Sequence, residues 1–454
     1  MEHTIAAIST PMGAGGIGII RLSGETARAV ADKVFRSVSG KTIEQASGYT
    51  ALYGHIMKGE RVVDEAVALV FAAPKSYTGE DVVELSCHGG AAVLRETLRL
   101  TLEAGARPAG AGEFTKRAFL NGKMELTQAE AVMDIIHAKG DQAARAAVAA
   151  HEGALAKRLN TMKDTLVNTA AWLAAWADFP EEEIPEVEPA ALQERLAPVT
   201  KDIARLLATF DSGRIMREGV ETAIVGCPNV GKSTLMNLLC GHESSIVTHI
   251  AGTTRDVVSE EILLGDLRLH LNDTAGIRET DDTVEQFGVQ RAKDRLATAE
   301  LIFAVFDGSR PLTDDDKELL TLCKDRKAVA VLNKSDLPRK TDEQVIRSYI
   351  PRVAVLSAKE GAGVDELQHH VEELLSLTDF DSDCGMLMNE RQRDCAMQVQ
   401  KCLQECEDAL QMGLTLDAVG VSLDGALDAL MELSGERVTE EVADQIFHQF
   451  CVGK

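Results

Sequence analysis

The chain has 454 residues, 45% of them apolar, with nine cysteines and a formal net charge of −25. That length exceeds one ordinary domain, so two to four are expected, each with enough apolar residues for a packed core. The odd cysteine count, without short paired spacings, argues against a disulfide framework and for a reducing compartment. Glu2 and His3 stand where a cationic leader would begin, and no uncharged apolar run reaches about 18 residues, so a cytoplasmic chain without a membrane span is expected. Residues 379–454 alone carry 16 acidic and 5 basic side chains. Nucleic-acid affinity rests largely on Lys and Arg neutralising phosphates, so any RNA would need a basic partner or a small local patch. The alternative is that the acidity serves solubility.

Residues 1–118 are punctuated by glycine and carry short apolar runs, Gly16–Arg21 and Ala66–Phe71, a texture that predicts an α+β domain. From 119 to 216 helical periodicity prevails, opened by a capping box from Thr127 and Glu130. Trp172 and Trp176 share one helical face and are expected in its core. Residues 217–377 read as an α/β phosphate-loop domain of Ras-like type, and helical pattern resumes over 378–454, with glycines 413, 420, 425 and 435 marking its breaks. The α/β domain is thus inserted into a mainly helical domain made from two chain segments.

The most specific stretch is Gly226-Cys-Pro-Asn-Val-Gly-Lys-Ser233, with an apolar run, Thr222–Val225, before it and a helical pattern from Thr234 after it. A strand, a tight glycine turn and a helix start aim backbone N–H groups at phosphate. Asn229, Val230, Gly231, Lys232, Ser233 and Thr234 would form this cradle, with Lys232 on the β- and γ-phosphates and the Ser233 hydroxyl on Mg²⁺. Asp273-Thr274-Ala275-Gly276 follows the apolar segment Leu267–Leu271, as expected of a strand ending at the γ-phosphate. Asn333-Lys334-Ser335-Asp336 follows Ala328–Leu332, and the Asp336 carboxylate can accept from two donors on one guanine edge that adenine lacks. Ser357-Ala358-Lys359 follows Val353–Leu356 and would set a backbone N–H against the guanine carbonyl. Four segments in strand context and in order specify GTP.

The position that orients water in Ras-like GTPases holds Ile277, and no arginine finger is evident. Two residues are candidates to compensate. Asn229 would hold a monovalent cation against the phosphates. In the switch segment Ser245–Asp256, Thr254 would coordinate Mg²⁺, while carbonyls of Thr248, Ile250 and Thr253 would complete an oxygen cage for K⁺. Glu285, nine residues after Gly276, would orient the attacking water. The plainer alternative makes Asn229 a turn residue and Glu285 a solvated surface charge.

Cys395, Cys402 and Cys406 fall on one helical face, which suits buried core cysteines better than a metal site lacking a fourth ligand. The end, Cys451-Val-Gly-Lys454, fits a prenylation motif poorly, and a mobile tail with a reactive thiol or a cysteine of no function are the remaining readings.

Across its whole length the chain resembles the MnmE/TrmE family of tRNA-modification GTPases. The segments that carry the resemblance are Thr4–Pro11, Ser76–Asp81, His88-Gly-Gly90, Gly112–Lys123, Asp178-Phe-Pro180, Gly252–Asp256 and Cys451–Lys454. The resemblance implies an N-terminal domain that binds a tetrahydrofolate one-carbon carrier and forms a homodimer, with folate contacts at Arg21, Glu84, Lys123 and Lys454. It places Cys451 in the modification chemistry, Asn229 on K⁺ and Glu285 at the catalytic glutamate. It also implies GTP hydrolysis coupled to carboxymethylaminomethyl or aminomethyl addition at C5 of the tRNA wobble uridine. The redox step would fall to a flavin-bearing MnmG (GidA) type partner in a heterotetramer or larger complex. The sequence departs from the family in its opening turn, where Met12 and Ala14 stand and an arginine is lost. The rival expectations are a ribosome-assembly or regulatory GTPase without modification chemistry, and a stand-alone folate-dependent transferase.

Overall fold

A computed structural model describes residues 3–13, 15–178, 187–241, 260–271, 296, 298–377 and 385–453. The chain divides into two compact units, one of residues 1–133, 151–170 and 423–454, the other of 134–150 and 171–422.

In the first unit, glycine-separated apolar runs become a seven-stranded sheet in the order β3-β4-β5-β6-β2-β1-β7. The strands are β1 (Ile5–Ile8), β2 (Ile17–Ser23), β3 (Phe35–Ser37), β4 (Thr50–Lys58), β5 (Arg61–Phe71), β6 (Val82–His88) and β7 (Arg107–Pro108). All pairings are antiparallel except β1 with β7. Ile20, Leu22, Val83 and Leu85 are fully buried, and helices Ala27–Val34 and Ala91–Glu103 set Ala31 and Leu94 in the same core. Period-two alternation leaves Arg21 and Glu84 on the opposite face, directly paired in the β2–β6 register. The C-terminal helix Glu440–His448 adds Ala443 and Phe447 to a second cluster with Leu126, Ala129 and Phe450.

The second unit carries a six-stranded sheet ordered β13-β12-β11-β8-β10-β9. Its strands are β8 (Val220–Val225), β9 (Glu260–Leu264), β10 (Leu267–Leu271), β11 (Leu301–Asp307), β12 (Ala328–Asn333) and β13 (Val353–Val355). Five run parallel and β9 pairs antiparallel with β10. Every residue of β11 and β12 is buried, which explains the apolar runs Leu301–Phe306 and Ala328–Leu332.

Helical expectations need three corrections. Thr127 is no N-cap: the helix begins at Leu126, so Thr127 lies inside it, 3% exposed and with its hydroxyl unpartnered, and the Glu125 N–H is instead capped by the Gln128 side chain at 2.9 Å. Gly420 and Gly425 do not break helix Leu416–Ser434, whereas Gly413, at φ +67°, follows the end of helix Glu390–Gln411 and Gly435, at φ +95°, that of Leu416–Ser434. Gly420 faces Leu173, where an added Cβ would already be in contact at 3.4 Å. Trp172 and Trp176 are half-buried rather than core, and Arg195 lies over the Trp172 ring, 4.4 Å from its centroid. Cys395, Cys402 and Cys406 are buried, and no group of three or more metal-binding side chains exists among the described residues.

Candidate functional site

The phosphate loop leaves the carboxyl end of β8 at the centre of the sheet and enters helix Lys232–Gly241, the place where open α/β sheets bind ligands. Close approach explains its glycines. A Cβ on Gly226 would lie 2.5 Å from the Val305 carbonyl, and one on Gly231, at φ +98°, would lie 2.2 Å from Asn333 Nδ2. Asn229 also takes a left-handed conformation, φ +63°, and is exposed. Lys232 donates to the carbonyls of Gly226 at 2.9 Å and Cys227 at 2.8 Å, which folds its ammonium over the loop. Ser233 and Thr234 sit in the first turn of that helix.

Asn333, 3% exposed, is a strut between three loops. Its Nδ2 donates to the Val230 carbonyl at 2.9 Å, and its Oδ1 accepts from the N–H groups of Lys334 at 2.8 Å and Ala358 at 2.9 Å. Lys334 Nζ donates to the Asn229 carbonyl at 2.8 Å and to Asp307 Oδ2 at 2.6 Å. Burial disfavours the Asp307 carboxylate, but hydrogen bonds from Lys334 and Ser309 outweigh it and hold its pKa below the usual range. Asp336 is exposed and accepts from the Ser357 hydroxyl at 2.7 Å, with Ala358 buried and Lys359 exposed beside it. A cavity of about 200 Å³ opens there, lined by Asn333, Lys334, Ser335 and Leu337 among others. The phosphate loop and the segments that follow β12 and β13 are therefore one bonded assembly. Thr248, Ile250, Thr253, Thr254, Asp273, Thr274, Ala275, Gly276 and Glu285 lie outside the described residues, as does Lys454.

The second candidate site is on the first unit. Arg21 donates to Glu84 Oε1 through Nε at 2.8 Å, and its guanidinium carbon lies 5.8 and 5.7 Å from the Tyr77 and Phe114 ring centroids. Those rings belong to two motif segments that interlock. Tyr77 OH meets Thr115 Oγ1 at 2.9 Å, Arg117 donates to both Glu80 oxygens at 3.0 Å, and Asn121 donates to the Thr78 carbonyl at 2.7 Å. Lys123 Nζ reaches the Pro74 carbonyl at 3.1 Å. Ala14 lies outside the described residues, and Met12 is exposed.

Residues 451–453 are not a mobile tail. Val452 pairs antiparallel with Ala111, the Gly112 N–H donates to the Cys451 carbonyl at 3.3 Å, and the Gly453 carbonyl accepts from Ser9 at 2.9 Å and Arg21 at 3.3 Å. The tail is held because a short extended segment can satisfy its backbone groups on the edge formed by residues 111–112. Sequence reasoning missed Asp307, Asn333 in its strut role, and Ser9. The signal for Asp307 was available, since Leu301–Asp307 is another apolar run ending in a polar residue before glycine.

Residues 4–123 match the family model described as the GTP-binding protein TrmE N-terminus, and residues 126–451 match the MnmE helical domain. Over 457 residues, covering 100% of both chains, the sequence is 42% identical to the tRNA modification GTPase MnmE of Clostridioides difficile (strain 630). It is 44% identical over 453 residues to that of Lactococcus lactis subsp. cremoris (strain SK11), covering 99% of this chain and 98% of the relative. With family models matching residues 4–123 and 126–451 and relatives 42–44% identical over the whole length, the chain belongs to the MnmE (TrmE) family of tRNA-modification GTPases.

Proposed function

We propose that this chain is a K⁺-stimulated GTPase that hydrolyses GTP to GDP and phosphate. It couples that cycle to addition of a carboxymethylaminomethyl or aminomethyl group at C5 of the wobble uridine of certain tRNAs. It acts as a homodimer with a flavin-bearing MnmG-type partner that takes the redox step. Asn229, Ser233 and the switch residues Thr248, Ile250, Thr253 and Thr254 offer oxygens, the donor chemistry that Mg²⁺ and K⁺ select. These ions, when bound, supply positive charge that would otherwise come from an arginine finger. Lys232 stabilises the phosphates, Asp336 and the Ala358 N–H read guanine, and Glu285 orients the attacking water. Arg21, Glu84, Lys123 and Lys454 bind a tetrahydrofolate, which supplies the one-carbon unit, and Cys451 takes part in the modification chemistry.

What supports this reading over a plain regulatory switch is the bond from Arg21 to the Gly453 carbonyl at 3.3 Å. It sets the thiol-bearing tail against a proposed folate contact, an arrangement with no purpose in a switch alone. The test is nucleoside mass spectrometry of tRNA from cells lacking the chain, complemented by wild type, Cys451→Ser or Glu285→Gln. Restoration of the modified wobble uridine by wild type alone is expected, with purified protein hydrolysing GTP faster in KCl than in NaCl. An unmodified profile in no strain, with altered ribosome profiles, would establish the assembly-factor reading instead.

A further inference from the structure

The proposed chemistry places Cys451 on a four-residue end, and something must hold that end still. We infer that Ser9 is the positioning residue that does so. Ser9 follows β1, and its N–H donates to the Ile19 carbonyl at 2.8 Å while the Ile19 N–H donates to Thr10 Oγ1 at 3.2 Å. The β1–β2 ladder thus continues past Ile8 and fixes the Ser9 backbone. From there the hydroxyl donates to the Gly453 carbonyl at 2.9 Å.

Gly453 is shaped for this contact. It is buried, it takes φ +99°, and an added Cβ would lie 2.4 Å from the Ile8 carbonyl and 3.0 Å from Ser9 Cα. Its carbonyl has a second donor, Arg21 Nη1, but that guanidinium is also committed to Glu84 through Nε. If a ligand engages the Arg21–Glu84 pair, the Arg21 bond to the tail is the one exposed to competition. The Ser9 bond, made by a group with no proposed ligand contact, keeps Gly453 in place. On the other side the Gly112 N–H holds the Cys451 carbonyl, and Phe450 is 7% exposed in the cluster with Phe447 and Leu126. The thiol residue is thereby anchored on both flanks while Cys451 itself stays exposed.

This inference rests on the reading of Cys451 in the modification chemistry, and the experiment separates the two. Full-length Ser9→Ala and Ser9→Thr are compared with wild type and Cys451→Ser by hydrogen exchange at Gly112, whose N–H holds the tail, and by steady-state tRNA modification with the partner flavoprotein. Loss of one hydrogen bond lets the tail open more often, which predicts roughly five-fold faster exchange of the Gly112 N–H, the donor to the Cys451 carbonyl, in Ser9→Ala. It also predicts a several-fold lower kcat for modification, with KM for tRNA, GTP hydrolysis and melting temperature unchanged. Ser9→Thr, which keeps the hydroxyl, should restore both readouts. Unchanged exchange in Ser9→Ala would overturn the anchor. Faster exchange with full activity in Ser9→Ala, while Cys451→Ser is inactive, would overturn the positioning role. Faster exchange with full activity in both Ser9→Ala and Cys451→Ser would leave the anchor standing and remove Cys451 from the chemistry.

Discussion

Replacing Asn333 by alanine should weaken guanine-nucleotide binding far more than a base-contact argument predicts. Its carboxamide makes three hydrogen bonds to backbone groups, the Val230 carbonyl and the N–H groups of Lys334 and Ala358. Val230 is 0% and Ala358 5% exposed, so water cannot readily replace the lost partner at either. At about 1 kcal/mol for each bond, the loss is about 3 kcal/mol, with more if a buried group stays unsatisfied. If that loss is spent in disordering the phosphate and base loops, which nucleotide must then reorder, affinity falls roughly 150-fold. Asn333→Asp keeps the two acceptor bonds but sets a carboxylate against the Val230 carbonyl, so it should not rescue. The assay is equilibrium titration of fluorescent GDP and GTP analogues, with urea unfolding to confirm that the domain stays folded. A change of less than about three-fold in Asn333→Ala would refute the strut.

Gly231→Ala should abolish nucleotide binding by the same titration, because the residue has φ +98° and its Cβ would lie 2.2 Å from Asn333 Nδ2. Wild-type affinity in that variant would mean the loop can repack. Burial first, and then a hydrogen bond to the Asp316 carboxylate, push the Cys227 thiol up to about 11. Alkylation of Cys227 should therefore be slow at pH 8 and rise about ten-fold per pH unit towards pH 11. Asp316→Asn should shift that profile down, and a pH-independent rate would contradict the assignment. Burial opposes ionisation of Glu113, but Arg107, the Gly110 N–H and Arg117 together lower its pKa. A depressed carboxylate contributes stability above its unfolded value of about 4.3 and loses it as pH falls through the folded value. The urea midpoint should thus hold steady above about pH 5 and fall below about pH 4, less steeply in Glu113→Gln; identical slopes would exclude Glu113 as a source.

Much of the nucleotide-binding domain was legible because its chemistry is local. A phosphate loop needs glycines at fixed offsets and a lysine at its end, and a strand buried on both faces reads as an apolar run, as Ala328–Leu332 does, whereas Leu267–Leu271 alternates, with Arg268 and His270 half-buried. The hairpin of β9 and β10 was less visible, since its turn at Gly265 and Asp266 carries only one glycine signal, φ +60°. Periodicity also overstated local capping. Thr127 and Glu130 have the spacing of a capping box, yet the helix starts at Leu126, which is 0% exposed in the cluster with Phe447.

The amino-acid sequence by itself determined that a GTP-type phosphate loop lies on a strand-to-helix turn, and which residue types surround it. These follow from short-range sterics and the periodicities of helix and strand. Tertiary structure alone decided the roles that depend on partners far along the chain. Asn333 became a strut only when Val230 came within 2.9 Å of it. Arg117 became a buried ion-pair centre only when Glu80 met it. The C-terminal residues were tied to the segment after β1 by the Ser9 hydroxyl, 444 positions away from Gly453. A hydrogen bond carries no sequence period, so contacts of that range are set by packing and are read only from the folded chain.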